Sequence, residues 1–126
     1  MYSVEIENNG GSIMKARSKD YEFIVDTKGK GMTPPDTLLT SLGSCVGVYI
    51  NKYIEGAKLP ISGFKVKVDA DFSKEKPVRF ETINVSIELK GPKLDDKRKE
   101  ALLSFIKNCP VGNTLNGKPN IEVELM

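Results

Sequence analysis

Residues 33–56, TPPDTLLTSLGSCVGVYINKYIEG, decide the fold. Thr33 is a good helix N-cap. Pro34 suits a first turn, where a missing N–H costs nothing, and Asp36 stands three residues after the cap in a capping-box-like arrangement. A helix is predicted from there to about Glu55, stopping before Gly56. Leu38, Leu42, Cys45 and Tyr49 fall on one face, with Leu39, Val46 and Tyr53 beside them. Gly43, Ser44 and Gly47 are small; they weaken the helix but let another backbone come close. An apolar face this long needs a covering layer.

The flanking sequence supplies strands. Tyr2, Val4 and Ile6 alternate with Ser3, Glu5 and Glu7, and Asn8-Asn9-Gly10-Gly11 is a turn. Residues 12–17 and 21–26 follow as two short strands, with Tyr21, Phe23 and Val25 on one face, so an antiparallel meander is predicted. Residues 27–33 form a Gly- and Lys-rich loop whose Gly29-Lys30-Gly31 lacks the phosphate-loop pattern. Beyond the helix, Phe64, Val66, Val68, Ala70 and Phe72 alternate with Lys65, Lys67, Asp69 and Asp71, as in a sheet with one wet face. Ile83, Val85, Ile87 and Leu89 repeat the pattern. Phe80 is out of phase with them, which predicts a bulge or late start near Glu81.

A second helix is expected over 94–107, burying Leu94, Ala101, Leu102, Phe105 and Ile106. Pro110 ends it at Asn108-Cys109, Gly112-Asn113 reads as a turn, and Ile121, Val123 and Leu125 make a last strand. The order β-β-β-α-β-β-α-β is α+β: antiparallel sheets packed on a long central helix, in a single domain over residues 1–126.

Composition narrows the function. The chain has 126 residues, 39% of them hydrophobic, enough for one core. No apolar stretch approaches the roughly 18–20 residues that cross a bilayer. The first residues lack a basic and an apolar signal region, so a cytoplasmic location with reduced thiols is expected. The net charge is +2 with the signs interspersed, and no basic stripe argues for nucleic acid.

There is no histidine, which removes the commonest general base and metal ligand. Chemistry, if present, falls to sulfur. Cys45 and Cys109 are too far apart for a CxxC motif or a zinc ribbon, and two cysteines without histidine do not hold a structural zinc. Neither a metal nor a cofactor is therefore expected. By residue type alone, a cysteine on an apolar helix face is more often a core atom than a nucleophile.

The local sequence adds a second reading. TPPDTLLTSLGSC, residues 33–45, resembles the pattern P-x-E-L-L-x-x-x-L-x-x-C of the OsmC/Ohr family (osmotically induced protein C and organic hydroperoxide resistance protein). NCPVGNTL, residues 108–115, resembles that family's second cysteine motif, and length and element order also agree. The resemblance implies an OsmC-like intertwined homodimer and a thiol-dependent peroxidase. Cys45 would attack the O–O bond of an organic hydroperoxide, leaving an alcohol and a sulfenic acid. Cys109 would condense with it to a Cys45–Cys109 disulfide, and a dithiol, of lipoyl type in this family, would restore both thiols. An apolar pocket would suit the substrate's tail, with Leu42, Tyr49 and Tyr53 as its walls; core packing is the other reading of the two tyrosines. The alternative is an OsmC-fold binding module for a small apolar ligand, without peroxidase activity. A third is a purely structural or partner-binding domain with both cysteines in the core.

Burial alone would keep such a cysteine protonated. The family offsets this with an arginine held by a carboxylate, which the resemblance carries to Arg17 and Asp36, with Asp in place of the usual Glu. Asp36 has a plain alternative as a capping carboxylate, and Arg17 as a surface ion-pair residue. Asp36 and Cys45 are nine residues apart, about 13–14 Å along a straight helix and near 180° around it. Asp36 would then reach a Cys45 only from a partner subunit.

Overall fold

The computed structural model describes all residues, Met1–Met126. They form β1 (Glu5–Glu7), β2 (Ile13–Ser18), β3 (Tyr21–Asp26), α1 (Pro34–Gly56), β4 (Gly63–Phe72), β5 (Phe80–Lys90), α2 (Asp96–Ile106) and α3 (Pro110–Gly117). The class is α+β with two antiparallel sheets, as expected. The chain divides into two compact units, Met1–Thr40 and Ser41–Met126, and α1 runs from one into the other.

In the first unit, β1-β2-β3 make the predicted meander, with Ala16 opposite Phe23 and Arg17 opposite Glu22. Its first strand is shorter than the Tyr2–Ile6 alternation suggested, and Tyr2 and Val4 lie exposed before it. Asp26, 1% exposed, ends β3 and folds the loop after it. Its carboxylate accepts the N–H groups of Lys28 and Lys30, each at 3.0 Å, while its own N–H donates to the Met32 carbonyl. These bonds replace the ladder that the loop cannot make.

In the second unit the buried stripe of α1 is Leu42, Val46, Ile50 and Ile54, packed with Leu102 and Cys109. This stripe is rotated from the Leu38-Leu42-Cys45-Tyr49 face read in the sequence. Cys45 and Tyr49 sit half-buried at its flank. The small residues explain the rotation. A methyl group at Gly43 would lie 3.0 Å from Val68 Cγ2, and one at Gly47 3.3 Å from Phe64 Cε2, so these glycines bring β4 against the helix. The sheet side therefore holds Ile50, and the other flank is left for Cys45. Each fully buried aliphatic side chain adds about 1.5–3 kcal/mol.

β4 and β5 pair from Gly63–Lys90 to Phe72–Phe80, with a register shift at Asp71/Phe72 that leaves Glu81 as the extra residue. The bulge expected near Glu81 is therefore present, and it stacks Phe72 on Phe80 with centroids 4.7 Å apart. α2 starts after Asp95, whose carboxylate caps the N–H of Arg98 at 2.8 Å. Ala101, assigned to the buried side from sequence, is exposed, while Leu102 is buried.

The end of the chain departs from expectation. Gly112 and Asn113 lie in a helix, α3, where a turn was read. Residues 121–125, read as a final strand, form none, so the order ends α-α rather than α-β. The alternation of Ile121, Val123 and Leu125 is genuine, but a strand needs a neighbour to pair with. These side chains are 80%, 92% and 101% exposed. No helix is long and apolar enough to cross a membrane.

Candidate functional site

Three local features build the site. α1 carries Cys45 on its half-buried flank. α2 ends at Ile106, and its last turn brings the chain back through Asn108 to Cys109, whose N–H donates to the Ile106 carbonyl at 3.0 Å. Pro110 then opens α3 with Cys109 as its N-cap. Pro at the first helical position needs no N–H there. The residue read as a helix stop thus serves also as a helix start.

The two cysteines are neighbours in the second unit. Both are free thiols; Cys45 packs against the core cluster that contains Cys109, and its side chain raises the Cys109 pKa. Cys109 is 3% exposed and Cys45 half-buried. The backbone N–H of Gly112 donates to Cys109 Sγ at 3.4 Å. Burial pushes the Cys109 thiol up, and the hydrogen bond and charge of Cys45 push it further; the N–H groups of Gly112 and Val111 pull the other way. Two thiols become a disulfide only where their sulfurs can approach and an oxidant removes two electrons.

Around them, Leu42 is buried in the core, and a methyl group on Gly112 would touch its Cδ1 at 3.7 Å. Tyr49 and Tyr53 both pack on Phe105 of α2, each with ring centroids 5.8 Å apart. Lys52 Nζ lies 4.8 Å above the Tyr49 ring, a cation–π contact. Of the pocket residues expected, Leu42 and the two tyrosines are therefore packed side chains of the same unit as the thiols.

The charged pair lies elsewhere in the sequence, in the first unit. Arg17 donates from Nη2 at 2.7 Å and Nε at 3.2 Å to a single oxygen of Glu22, its cross-strand neighbour. That hydrogen bond, then the charge of Glu22, raises its already high pKa. Asp36 closes a reciprocal cap with Thr33: Asp36 Oδ2 accepts from the Thr33 hydroxyl at 2.9 Å, and Thr33 Oγ1 accepts the Asp36 N–H at 3.2 Å. The capping reading is realised in the geometry. α1 is unbroken from Pro34 to Gly56.

Sequence reasoning missed α3, and with it Gly112 as a donor to sulfur. The signal was present: a Cys-Pro step can place a weak sulfur acceptor at an N-cap and proline at N1. No cluster of metal-ligating side chains is found.

The OsmC-like protein family matches residues 27–124. A hydroperoxide reductase from Mycoplasma genitalium is 23% identical over 98% of this chain and 93% of its own length. Among solved structures, an OsmC-like protein from Mycoplasma pneumoniae superposes with a TM-score of 0.82 at 25% identity, covering 94% of this chain and 89% of that one. An organic hydroperoxide resistance protein from Legionella pneumophila gives 0.69 at 16% identity, over 93% and 91% of the two chains, which is a likeness of fold.

Proposed function

This chain belongs to the OsmC-like protein family, and from that premise we propose that it is a cytoplasmic thiol-dependent peroxidase that reduces organic hydroperoxides to alcohols. The observation that carries the reading is the packing of Cys45 against the core cluster that buries Cys109, which brings the two thiols of this chain together. The name of the Mycoplasma genitalium relative agrees with it.

In this reading the Cys45 thiolate attacks the outer oxygen of the hydroperoxide. The O–O bond breaks, the alkoxide takes a proton to leave as the alcohol, and Cys45 becomes a sulfenic acid. The Cys109 sulfur then displaces water from it, forming the Cys45–Cys109 disulfide. A dithiol, with a lipoyl-type compound as the family precedent, returns both sulfurs to thiols by exchange. The half-buried side of Cys45 gives entry, and Leu42, Tyr49 and Tyr53 supply apolar surface for the substrate's organic group.

The reading includes a homodimer in which Arg17 and Asp36 of a second copy serve this copy's Cys45. Its support is exposed apolar surface. Tyr21 is 79% and Phe23 54% exposed on the meander, and the C-terminal alternation is bare. Apolar surface of this kind marks association.

The test mixes reduced protein with cumene hydroperoxide and titrates free thiols. Loss of both thiols, abolished by Cys45→Ser, is expected. Thiols unchanged at stoichiometric peroxide would reject the proposal. The second reading, a module that binds a small apolar ligand without peroxidase activity, draws on the engagement of Arg17 by Glu22 at 2.7 Å. It predicts binding that survives Cys45→Ser.

A further inference from the structure

The two sulfurs differ in their surroundings, one buried and one half-buried. Thiol–disulfide exchange proceeds by attack along the S–S axis, from the side opposite the sulfur that departs. Attack on Cys109 would have to come through the side of the sulfur away from Cys45. Cys109 is 3% exposed. The first turn of α3 lies against it, with the Gly112 N–H aimed at Sγ and a methyl group at Gly112 only 3.8 Å from that sulfur. Leu42 Cδ1 lies beyond, 3.7 Å from the same point. Cys45, by contrast, is only half-buried.

We infer that the external dithiol always attacks Cys45 Sγ and that Cys109 is the leaving sulfur, received as a thiolate by the backbone N–H of Gly112 at the start of α3. This rests on the Cys45–Cys109 disulfide of the proposed reaction. The reductant thiolate bonds to Cys45 Sγ, the S–S bond breaks, and its electron pair goes to Cys109 Sγ. Cys109 then takes the proton that the reductant lost. The reductant's second thiol displaces Cys45 from the mixed disulfide, so the dithiol leaves as a cyclic disulfide and the protein regains two thiols. Burial raises the Cys109 pKa and makes its thiolate a costly leaving group, so access decides the direction, and the Gly112 N–H offsets only part of that cost. Gly112 is thus a positioning residue whose contribution comes from its backbone and not from a side chain.

The experiment forms the disulfide with diamide, so that peroxide chemistry is not needed. The full chain is then exposed briefly to the monothiol cysteamine, acid-quenched, alkylated and mapped by peptide mass. Cysteamine on Cys45 with the alkyl group on Cys109 is expected. Cysteamine on Cys109, or on both alike, overturns the inference while leaving the peroxidase reading in place. Failure of diamide to link the cysteines within one chain overturns it together with the disulfide step. As a second measurement, Gly112→Pro removes the N–H, whereas Gly112→Ala keeps it and meets only ordinary contacts. Reduction of the disulfide by dihydrolipoamide should be about tenfold slower for Gly112→Pro than for Gly112→Ala, and equal rates remove the donor role. If Gly112→Pro does not fold, the adduct map decides.

Discussion

Half-buried Cys45 packs against the core cluster that buries Cys109, though 64 residues separate them in the chain. The buried thiol is pushed up by desolvation first and by its neighbour second. Its pKa in the folded state therefore exceeds the unfolded value. The stability gained by burying the neutral thiol is complete below the ordinary cysteine range and is lost as pH rises through the raised value.

The same shift predicts an alkylation pattern. With iodoacetamide at neutral pH, Cys45 labels several-fold faster than Cys109. Labelling of Cys109 keeps accelerating at pH values where an ordinary thiol, half-ionised near about pH 8.5, has already levelled off. Peptide mass mapping across pH measures both, and equal labelling of the two residues would contradict the arrangement.

A second prediction separates the capping role of Asp36 from its proposed catalytic one. Thr33→Ala removes the N-cap and should lower stability by about 1 kcal/mol, read by denaturant midpoint. Asp36→Ala breaks the same reciprocal pair and should also destabilise. If Asp36 supports an arginine at the thiols of a second copy, Asp36→Ala additionally slows oxidation of Cys45 by peroxide, which Thr33→Ala does not. Equal oxidation rates would leave Asp36 a capping residue alone.

What the sequence made legible follows from which forces act locally. The meander, the β4–β5 pair and α1 could be read because alternation, Asn-Gly turns and a capping box are encoded within a few residues of where they act. The bulge at Glu81 showed as a phase slip in the apolar pattern. The buried stripe of α1 was misjudged because Gly43 and Gly47 decide which flank meets β4, and that depends on Val68 and Phe64, some twenty residues away. α3 was missed because a proline after a helix reads as an ending, and nothing local says that a new helix begins on it. The strand at 121–125 was over-read because its pattern is local but its pairing is not. Both cysteines were found, yet their proximity follows from the return of α2 along α1 and not from their spacing.

Asp26 provides a pH prediction of opposite sign. The Lys28 N–H first, then the Ser12 hydroxyl and the Lys30 N–H, hold its carboxylate below the usual range. A carboxylate depressed by folding contributes stability that is present above its unfolded pKa and is lost as pH falls through the folded one. Thermal stability should therefore fall below about pH 4, and Asp26→Asn should lower stability at neutral pH while flattening that acid loss. Thermal melts of both proteins from neutral to acid pH measure it; parallel curves would remove Asp26 from the account.

The core makes a prediction free of chemistry. Ile50 is 0% exposed, the most enclosed aliphatic side chain of α1. Ile50→Ala should cost about 2–5 kcal/mol, the transfer of the lost carbons plus the cavity they leave. Val48, on the same helix and 51% exposed, should tolerate Ala with a change within about 0.5 kcal/mol. Urea midpoints of the two variants should differ accordingly, and similar midpoints would mean that α1 buries a different face.

The bare C-terminal alternation tests the proposed dimer. Ile121, Val123 and Leu125 alternate with Glu122 and Glu124 in the sequence, lie exposed and belong to no strand of their own chain. An extended segment with apolar residues on one side gains most by pairing with a sheet edge, because backbone bonds and side-chain burial are made together. A second copy offers such edges: β1 and β3 border its three-stranded sheet, and β4 and β5 each have one open side. Val123→Asp should therefore shift a dimer toward monomer in sedimentation velocity, while Glu122→Lys, on the opposite side of the segment, should shift it less. Because the core of the second unit does not include this segment, the monomeric variant should keep its helical circular dichroism. A wild-type chain that sediments as a monomer at high concentration would end the dimer proposal, and with it the supply of Arg17 and Asp36 from a second copy.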